Sequence, residues 1–291
     1  MIEMRLSDSS QISRLKQIWK SCFGDSDQYI NFFYNNCYKP DETAILLENG
    51  QIATMLILLP MTIVVPDGRN LLTRYLYAFA TDPVFRRRGF GGQLIDFADK
   101  HVARLENDSV ITVPANEKMF GYFGSKGYAK AFFIREGKFS RQQIVSGSLA
   151  GKITPATAAE YNALRNKLLT GRMYVKYDDY AMDYQKKLAV ESGADCYIIN
   201  IRGITGCATV ESYPTGTVLI KEMLLPDEQL PAGLALIGDI LPAGTYVVRT
   251  PAFLGARLGG EVRPYGMVSW CRDVLDVETS NRFGYMAFAY D

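Results

Sequence analysis

Three consecutive arginines lead directly into a glycine-rich turn in the segment ATDPVFRRRGFGGQLIDFADKHV, residues 80–102. The side chains of residues 86–88 offer charged hydrogen-bond donors. Gly89 and Gly91 lack the Cβ atom that would hold backbone amides away from a ligand. Positive charge and exposed backbone amides together favour an anion. We interpret the segment as a binding site for a pyrophosphate.

Two common phosphate loops do not fit this spacing. A dinucleotide-binding fingerprint requires G-x-G-x-x-G, whereas Gly91 and Gly92 are followed by Gln93. A Walker loop requires Gly-Lys followed by Ser or Thr, which this turn lacks. A tight connection with solvated arginines is the alternative interpretation.

The elements around the turn determine whether its amides face a ligand. Hydrophobic periodicity and turn residues predict the order strand, two helices, three strands, helix, strand, helix, strand in the first half of the chain. Asn49-Gly50 predicts a hairpin within it. The glycine turn then joins a buried strand to a helix over residues 91–105. Because the first amides of a helix lack internal partners and carry partial positive charge, this position suits an anion.

Composition limits the class of protein. The 291 residues fit two domains, 48% are hydrophobic, and 32 basic against 31 acidic residues give a net charge of +1. We therefore expect a soluble protein with no nucleic-acid and no membrane partner. Five cysteines without C-x-x-C spacing, and a start unlike a signal peptide, predict a reducing, cytoplasmic location.

The second half, from about Lys152, repeats the predicted order of elements. Its turn before the corresponding helix is LPDEQLPAG, with acids and prolines where the first half has arginines and glycines. Acids at a helix start repel an anion. We expect this copy to lack the pyrophosphate site and to play a structural role.

The spacing R-x-x-G-x-G at residues 86–91, between strand and helix, resembles motif A of the GNAT superfamily of coenzyme A dependent acetyltransferases. The segment PANEKMFGYFGSKGYAKA, residues 114–131, resembles its motif B. The resemblance implies a mixed α/β sheet and two tandem GNAT folds, the second degenerate. The expected divisions are an acetyl-CoA-binding domain at 1–145, a degenerate domain at 150–270 and a tail at 271–291.

The same resemblance implies acetyl-CoA as co-substrate without a metal, and a small-molecule or peptide amine as acceptor. A homo-oligomer is compatible with it. Pantetheine would pair with strand residues 79–81, and backbone amides of the turn would hold the pyrophosphate. The implied cofactor-binding residues are Phe79, Ala80, Thr81, Arg86, Arg87, Arg88, Gly89, Phe90, Gly91, Gly92 and Asn116.

The sequence leaves two candidates for the group that protonates the departing thiolate. Many family members place a Tyr four residues before the Gly that closes motif B, but here that Gly is Gly127 and the position holds Phe123. Tyr122 lies one residue earlier, about 100° around the helix. Either Tyr122 is the acid, or water is the acid and Tyr122 packs. Phe123 also motivates a different function, a catalytically silent acyl-CoA sensor or scaffold.

Tandem GNAT chains with a degenerate second copy resemble the Eis-like acetyltransferases, and MVSWCRDVLDV at residues 267–277 resembles the segment that enters their third lobe. The chain continues only to Asp291. We therefore expect the third lobe to be missing or reduced to a strand, and leave open whether the Asp291 carboxylate acts as a base, as the resemblance implies.

Overall fold

The computed structural model describes residues 1–144, 151–272 and 283–290. The chain divides into two compact units. Unit 1 comprises residues 1–62, 71–129 and 267–276, and unit 2 comprises residues 63–70, 130–266 and 277–291. The expected junction at 145–150 lies outside the described residues, so the division into consecutive domains stays a prediction.

Unit 1 has the predicted order of elements. Its strands are β1 (Ile2–Leu6), β2 (Thr43–Glu48), β3 (Gln51–Val64), β4 (Asn70–Thr81) and β5 (Ser109–Thr112). Its helices are α1 (Ile12–Phe23), α2 (Asp27–Asn36), α3 (Phe90–Arg104) and α4 (Glu117–Gly124). The prediction of strand, two helices, three strands, helix, strand and helix is confirmed.

The strands of unit 1 form a mixed sheet in the order β1-β2-β3-β4-β5. The neighbours β1 and β2, and β2 and β3, are antiparallel, whereas β4 and β5 are parallel. The predicted hairpin turn joins β2 to β3, with φ of 50° at Asn49 and 80° at Gly50. Positive φ at both residues matches the twist of a two-residue hairpin, which explains the Asn-Gly pair.

Helix α3 packs on this sheet through one apolar stripe. Leu94, Ile95, Ala98 and Val102 recur at helical spacing and are fully buried. Phe120 and Phe123 of α4 belong to the same core. Burial of these side chains fixes both helices, and with them the ends that face the glycine turn.

Unit 2 has the second run of alternating elements. Its strands are β6 (Ala129–Ser140), β7 (Gly151–Pro155), β8 (Tyr174–Lys176), β9 (Cys196–Ile201), β10 (Ile204–Tyr213), β11 (Thr217–Leu224), β12 (Thr245–Pro251) and β13 (Glu261–Trp270). Its helices are α5 (Ala158–Leu168), α6 (Asp179–Glu191) and α7 (Leu230–Ile240). The strand order β6-β12-β11-β10-β9-β7 includes one parallel pair, β11 and β12.

The last strand contributes to the first unit. Residues 267–270 of β13 belong to unit 1, where they pair antiparallel with β5 from Met267↔Thr112 to Trp270↔Ser109. A sequence pattern for β13 alone does not identify its partner, because that partner lies more than 150 residues earlier in the chain.

Local capping explains where the helices of unit 2 begin. Thr157 and Glu160 form a capping box at α5, and the side chain of Asp178 accepts from the Ala181 amide at α6. Inside the unit, Arg165 donates from Nε to both carboxylate oxygens of Glu222, at 2.9 and 3.0 Å. Both side chains are fully buried, so each charge needs the other.

None of the described helices combines the length and the apolar character needed to cross a bilayer.

A half-buried carboxyl on α3 is expected to make the stability of unit 1 depend on pH. Tyr128 donates to Oδ1 of Asp99 at 2.7 Å, and burial raises the pKa of Asp99 to about 6. Between about pH 4 and pH 6 the Asp99 carboxyl keeps its proton in the folded state but has lost it in the unfolded state. The free energy of unfolding of unit 1 therefore falls as pH rises through this range.

Asp99→Asn, which keeps an acceptor for Tyr128, should remove this loss. We expect the variant to be more stable than the wild type at pH 8 by on the order of 1–2 kcal/mol, with little difference at pH 4. Urea unfolding at both pH values measures the effect, and exposed Asp41→Asn is the control. An equal difference at the two pH values would contradict the assignment.

Candidate functional site

Strand β4 separates from β5 part-way along its length. The two strands pair from Thr73↔Ser109 to Leu76↔Thr112, where β5 ends. Two residues later, Ala78 has a φ of 48°, which is rare for a residue with a Cβ. A left-handed residue inside a strand redirects the neighbouring backbone groups. The rest of β4, residues 77–81, is left without β5 as a hydrogen-bonding neighbour.

The turn between β4 and α3 has a defined conformation. The side chain of Asp82 accepts from the Val84 amide, and residues 83–85 form one 3₁₀ turn. Arg87 and Gly89 both have positive φ, 65° and 76°. Helix α3 then begins at Phe90, so the amides of residues 90–92 have no partner within the helix.

The three arginines have different partners. Arg86 donates from Nε to the Thr81 carbonyl oxygen at 3.1 Å, which ties the turn to the end of β4. Arg88 pairs with Glu48 at 2.6 Å and stacks on Phe85. Arg87 is exposed and, within the part of the chain that the structure describes, makes no hydrogen bond or ion pair through its side chain. Arg87 is the cation of this turn that remains available for a ligand.

Gly91 lets the start of α3 lie close to β4 and α4 because it has no Cβ. A Cβ at this position would lie 2.8 Å from Cζ of Phe79 and 3.4 Å from the Tyr122 hydroxyl. A distance below 3.0 Å forces the ring to move. Glycine at residue 91 therefore permits the close approach of β4, α3 and α4.

These elements enclose a cleft of about 420 Å³. Tyr122 and nine predicted cofactor-binding residues line it: Phe79, Ala80, Thr81, Arg86, Arg87, Gly89, Phe90, Gly91 and Gly92. The other two predicted residues do not. Arg88 is held by Glu48, and the side chain of Asn116 accepts from the Met119 amide as the N-cap of α4.

Four further residues line the cleft that the sequence did not indicate: Cys22, Phe23, Phe85 and Met119. Cys22 lies within 3.3 Å of the Thr81 carbonyl oxygen and 3.5 Å of Nη2 of Arg86. Cys22 is 59 residues from Thr81 in the sequence, and no local pattern links the two. Only the fold places the end of α1 beside this turn.

Tyr122 and Phe123 differ sharply in environment. Phe123 is 2% exposed and packs in the core, whereas Tyr122 is half-buried, lines the cleft and stacks on Phe79 with 6.2 Å between ring centroids. Burial raises the pKa of the Tyr122 phenol, the nearby Lys126 ammonium lowers it, and Asp96 raises it. The phenol is therefore protonated at neutral pH and can donate a hydrogen bond into the cleft.

The corresponding turn of unit 2 is built differently. Residues 225–229 connect β11 to α7, fewer than the residues 82–89 of the first turn. Asp227 accepts from the Gly255 amide at 2.8 Å, and Glu228 pairs with Arg257. Cδ1 of Leu225 lies 2.5 Å from where a Cβ of Gly233 would be. The Leu225 side chain therefore occupies the start of α7. Asp227 and Glu228 have partners within unit 2.

Two other expectations concern metal and the C-terminal carboxylate. Within the described residues, no group of three or more His, Cys, Asp or Glu side chains is placed to hold a metal ion. Asp291 lies outside the described residues, and so do residues 273–277 of the segment 267–277 that resembles the entry to a third lobe.

Residues 3–131 match the family model described as Acetyltransferase (GNAT) domain. The match covers less than half of the chain and lies within its first 131 residues. No curated protein sequence matches the chain.

Solved structures of GNAT proteins share the fold over nearly the whole chain. A GCN5-related N-acetyltransferase from Anabaena variabilis aligns with a TM-score of 0.74 at 13% identity, covering 94% of this chain and 73% of the other. Eis1 from Mycobacterium abscessus aligns with 0.65 at 12% identity, covering 94% and 74%. A tandem GNAT protein from the clavulanic acid biosynthesis pathway aligns with 0.56 at 11% identity, covering 94% and 99%. The fold is a GNAT fold, and the domain match supports an acyltransferase.

A side chain at residue 91 should block the cleft. Gly91→Val would place methyl groups against Phe79 and over the amides of α3, and loss of two or more charge-assisted hydrogen bonds should weaken coenzyme A binding roughly 100-fold or more. Calorimetric titration measures the affinity. Gly121→Ala on α4, where a Cβ meets nothing within 4 Å, is the matched control. Equal affinity of both variants would contradict an anion site at α3.

Arg87 and Arg88 should contribute differently to coenzyme A affinity. Because Arg87 is exposed, Arg87→Ala should raise the Michaelis constant or dissociation constant by about 3-fold to 10-fold, and this effect should shrink as salt rises. Arg88→Ala should have a smaller effect, since its side chain is held by Glu48. A larger effect from Arg88→Ala would mean that the ion pair with Glu48 opens when the ligand binds.

Proposed function

We propose that the protein transfers an acetyl group from acetyl-CoA to a primary amine by direct attack in a ternary complex. One observation carries the proposal. A single cleft holds both the unpartnered amides at the start of α3 and the part of β4 that has left β5. The first suits a diphosphate and the second suits an extended amide chain. Coenzyme A contains both groups, joined in series.

The residues of the cleft fit this co-substrate. Gly91 leaves space that a Cβ would fill, and the amides of residues 90–92 would hold the pyrophosphate, with Arg87 beside them. Backbone groups of residues 79–81 would pair with the pantetheine amides. The Thr81 carbonyl already accepts from Arg86 and lies against Cys22, so we assign the pairing chiefly to the other backbone groups of this range.

The reaction places three demands on the protein. A neutral amine forms a bond to the thioester carbon and its nitrogen then gives up a proton, the carbonyl oxygen carries negative charge until the carbon–sulfur bond breaks, and the released thiolate takes a proton. Orientation of two reactants can supply roughly 7–11 kcal/mol of the barrier reduction. Backbone amides redirected at Ala78 are our candidates for the donor to the oxygen. The Tyr122 phenol is our candidate for the proton donor to sulfur.

We further assign the chain to the Eis-like, tandem type and to the cytoplasm. The fold match to Eis1 and to a tandem GNAT protein supports the first assignment. Five free cysteines, three of them buried, suit a reducing compartment and support the second. The acceptor remains a small-molecule or peptide amine in this proposal.

A silent acyl-CoA sensor or scaffold is the second candidate, and Phe123 favours it. The residue where the family commonly has a Tyr has no proton to donate and is buried in the core. Turnover separates the candidates. The purified protein is incubated with acetyl-CoA and a panel of aminoglycosides, polyamines, lysine peptides and peptide N-termini, and thiol release is followed with time. Tight coenzyme A binding without amine-dependent thiol release would establish the sensor.

Tyr122→Phe tests the proton donor. Loss of a general acid should lower kcat by roughly 10²-fold to 10⁴-fold, with coenzyme A affinity little changed. Initial rates and calorimetry on the same preparation give the two quantities. A variant with weaker coenzyme A binding and unchanged kcat would assign the Tyr122 hydroxyl to ligand binding and leave protonation to water.

A further inference from the structure

The turn that follows α4 is joined to the first turns of α3 by one side chain. Nζ of Lys126 donates to the Gly92 carbonyl oxygen at 3.2 Å and to the two carboxylate oxygens of Asp96 at 2.8 and 3.1 Å. The Lys126 side chain is 23% exposed, less than half the exposure of Asp96 at 54%. Three bonds in a largely covered position hold the ammonium in one place.

The Tyr122 hydroxyl lies at the same point of α3. A Cβ built on Gly92 would be 3.1 Å from Nζ of Lys126 and 3.7 Å from the Tyr122 oxygen. Gly92 allows both groups to approach α3 closely. The Lys126 ammonium and the Tyr122 phenol therefore both lie close to Gly92, a residue that lines the cleft.

The charges around this phenol act in opposite directions. Asp96 on α3 raises the pKa of Tyr122, and Lys126, in the turn after α4, lowers it. From β4, the neighbour is the uncharged ring of Phe79. The charged groups that line the same cleft are Arg86 and Arg87.

We propose that Lys126 is a positioning residue for the Tyr122 hydroxyl, which its ammonium fixes against the first turns of α3 and keeps beside a positive charge. The inference deepens the proposed function, on which its catalytic consequence rests. An exposed ion pair contributes little to stability, at most about 1 kcal/mol. The effect of Lys126 should therefore be found in the behaviour of Tyr122 more than in the melting temperature.

The coupling is tested first without turnover. A ring-fluorinated tyrosine, which ionises nearer neutral pH, is placed at position 122 of the full chain, and its ionisation is followed by fluorine NMR. Lys126→Met removes the cation and should move the midpoint to higher pH. Asp96→Asn removes the anion and should move it to lower pH, since Lys126 keeps its bond to Gly92. Lys126→Arg should restore the wild-type midpoint, and Lys100→Met, exposed on α3, should leave it unchanged.

Turnover then tests the consequence. With an active amine, Lys126→Met should lower kcat roughly threefold to tenfold and move the basic limb of the kcat profile to higher pH, because the weaker acid keeps its proton longer. Lys126→Arg should restore both. A titration midpoint that is the same in Lys126→Met and the wild type would overturn the proposal. So would a lower kcat without movement of the basic limb, which a purely structural residue would give. If no amine is acetylated, the proposed function fails, and the fluorine titration still decides the coupling.

Discussion

The architecture of the candidate site depends on the early end of one strand pairing. β5 pairs with β4 only as far as Leu76↔Thr112, and Pro114 follows shortly after, while β4 continues to Thr81. The backbone groups beyond Leu76 need other partners, because buried polar groups of the backbone are rarely left unsatisfied. Part of this need is met within the chain by Arg86 on the Thr81 carbonyl. The remainder forms an edge that an extended ligand can complete.

The second unit has a similar strand geometry but a different turn. β11 and β12 are also parallel and pair only from Thr217↔Thr245 to Ile220↔Val248, and β11 continues to Leu224. The difference lies in the turn that follows. Leu225 packs against Gly233, and Asp227 accepts from the Gly255 amide. A strand edge without an open helix start offers a place for amides but none for a diphosphate, so the proposed acyl-CoA site depends on both features of unit 1.

Much of the fold follows from local sequence patterns, and the parts that do not are long-range. The hairpin at Asn49-Gly50 and the helix after the glycine turn are local features, and both were predicted. The left-handed conformation of Ala78 was not, because alanine gives no indication of positive φ. The pairing of β13 with β5 likewise depends on tertiary contacts between distant segments.

The candidate site also combines local features, which were predicted, with long-range contacts, which were not. The turn residues 86–92 form a local motif and were predicted, and most of them line the cleft. The pairing of Arg88 with Glu48 bridges 40 residues and removes one predicted arginine from the cleft. Cys22 joins the cleft across 59 residues. Local spacing identifies which backbone could bind an anion, whereas tertiary contacts decide which side chains remain to assist it.

The one-residue offset between Tyr122 and Phe123 illustrates how tertiary packing assigns roles on a helix. Adjacent residues on α4 point about 100° apart, so only one of them can face the cleft while the other faces the core. The ring of Phe123 packs against Phe79 and Tyr128 in the core. Exchange of the two orientations would bury the Tyr122 hydroxyl without a partner, at a cost of about 1–3 kcal/mol, and would move Lys126 away from Asp96. Burial of Phe123 and the Lys126 bridge thus favour the same rotation of α4, the one that leaves a phenol at the edge of the cleft.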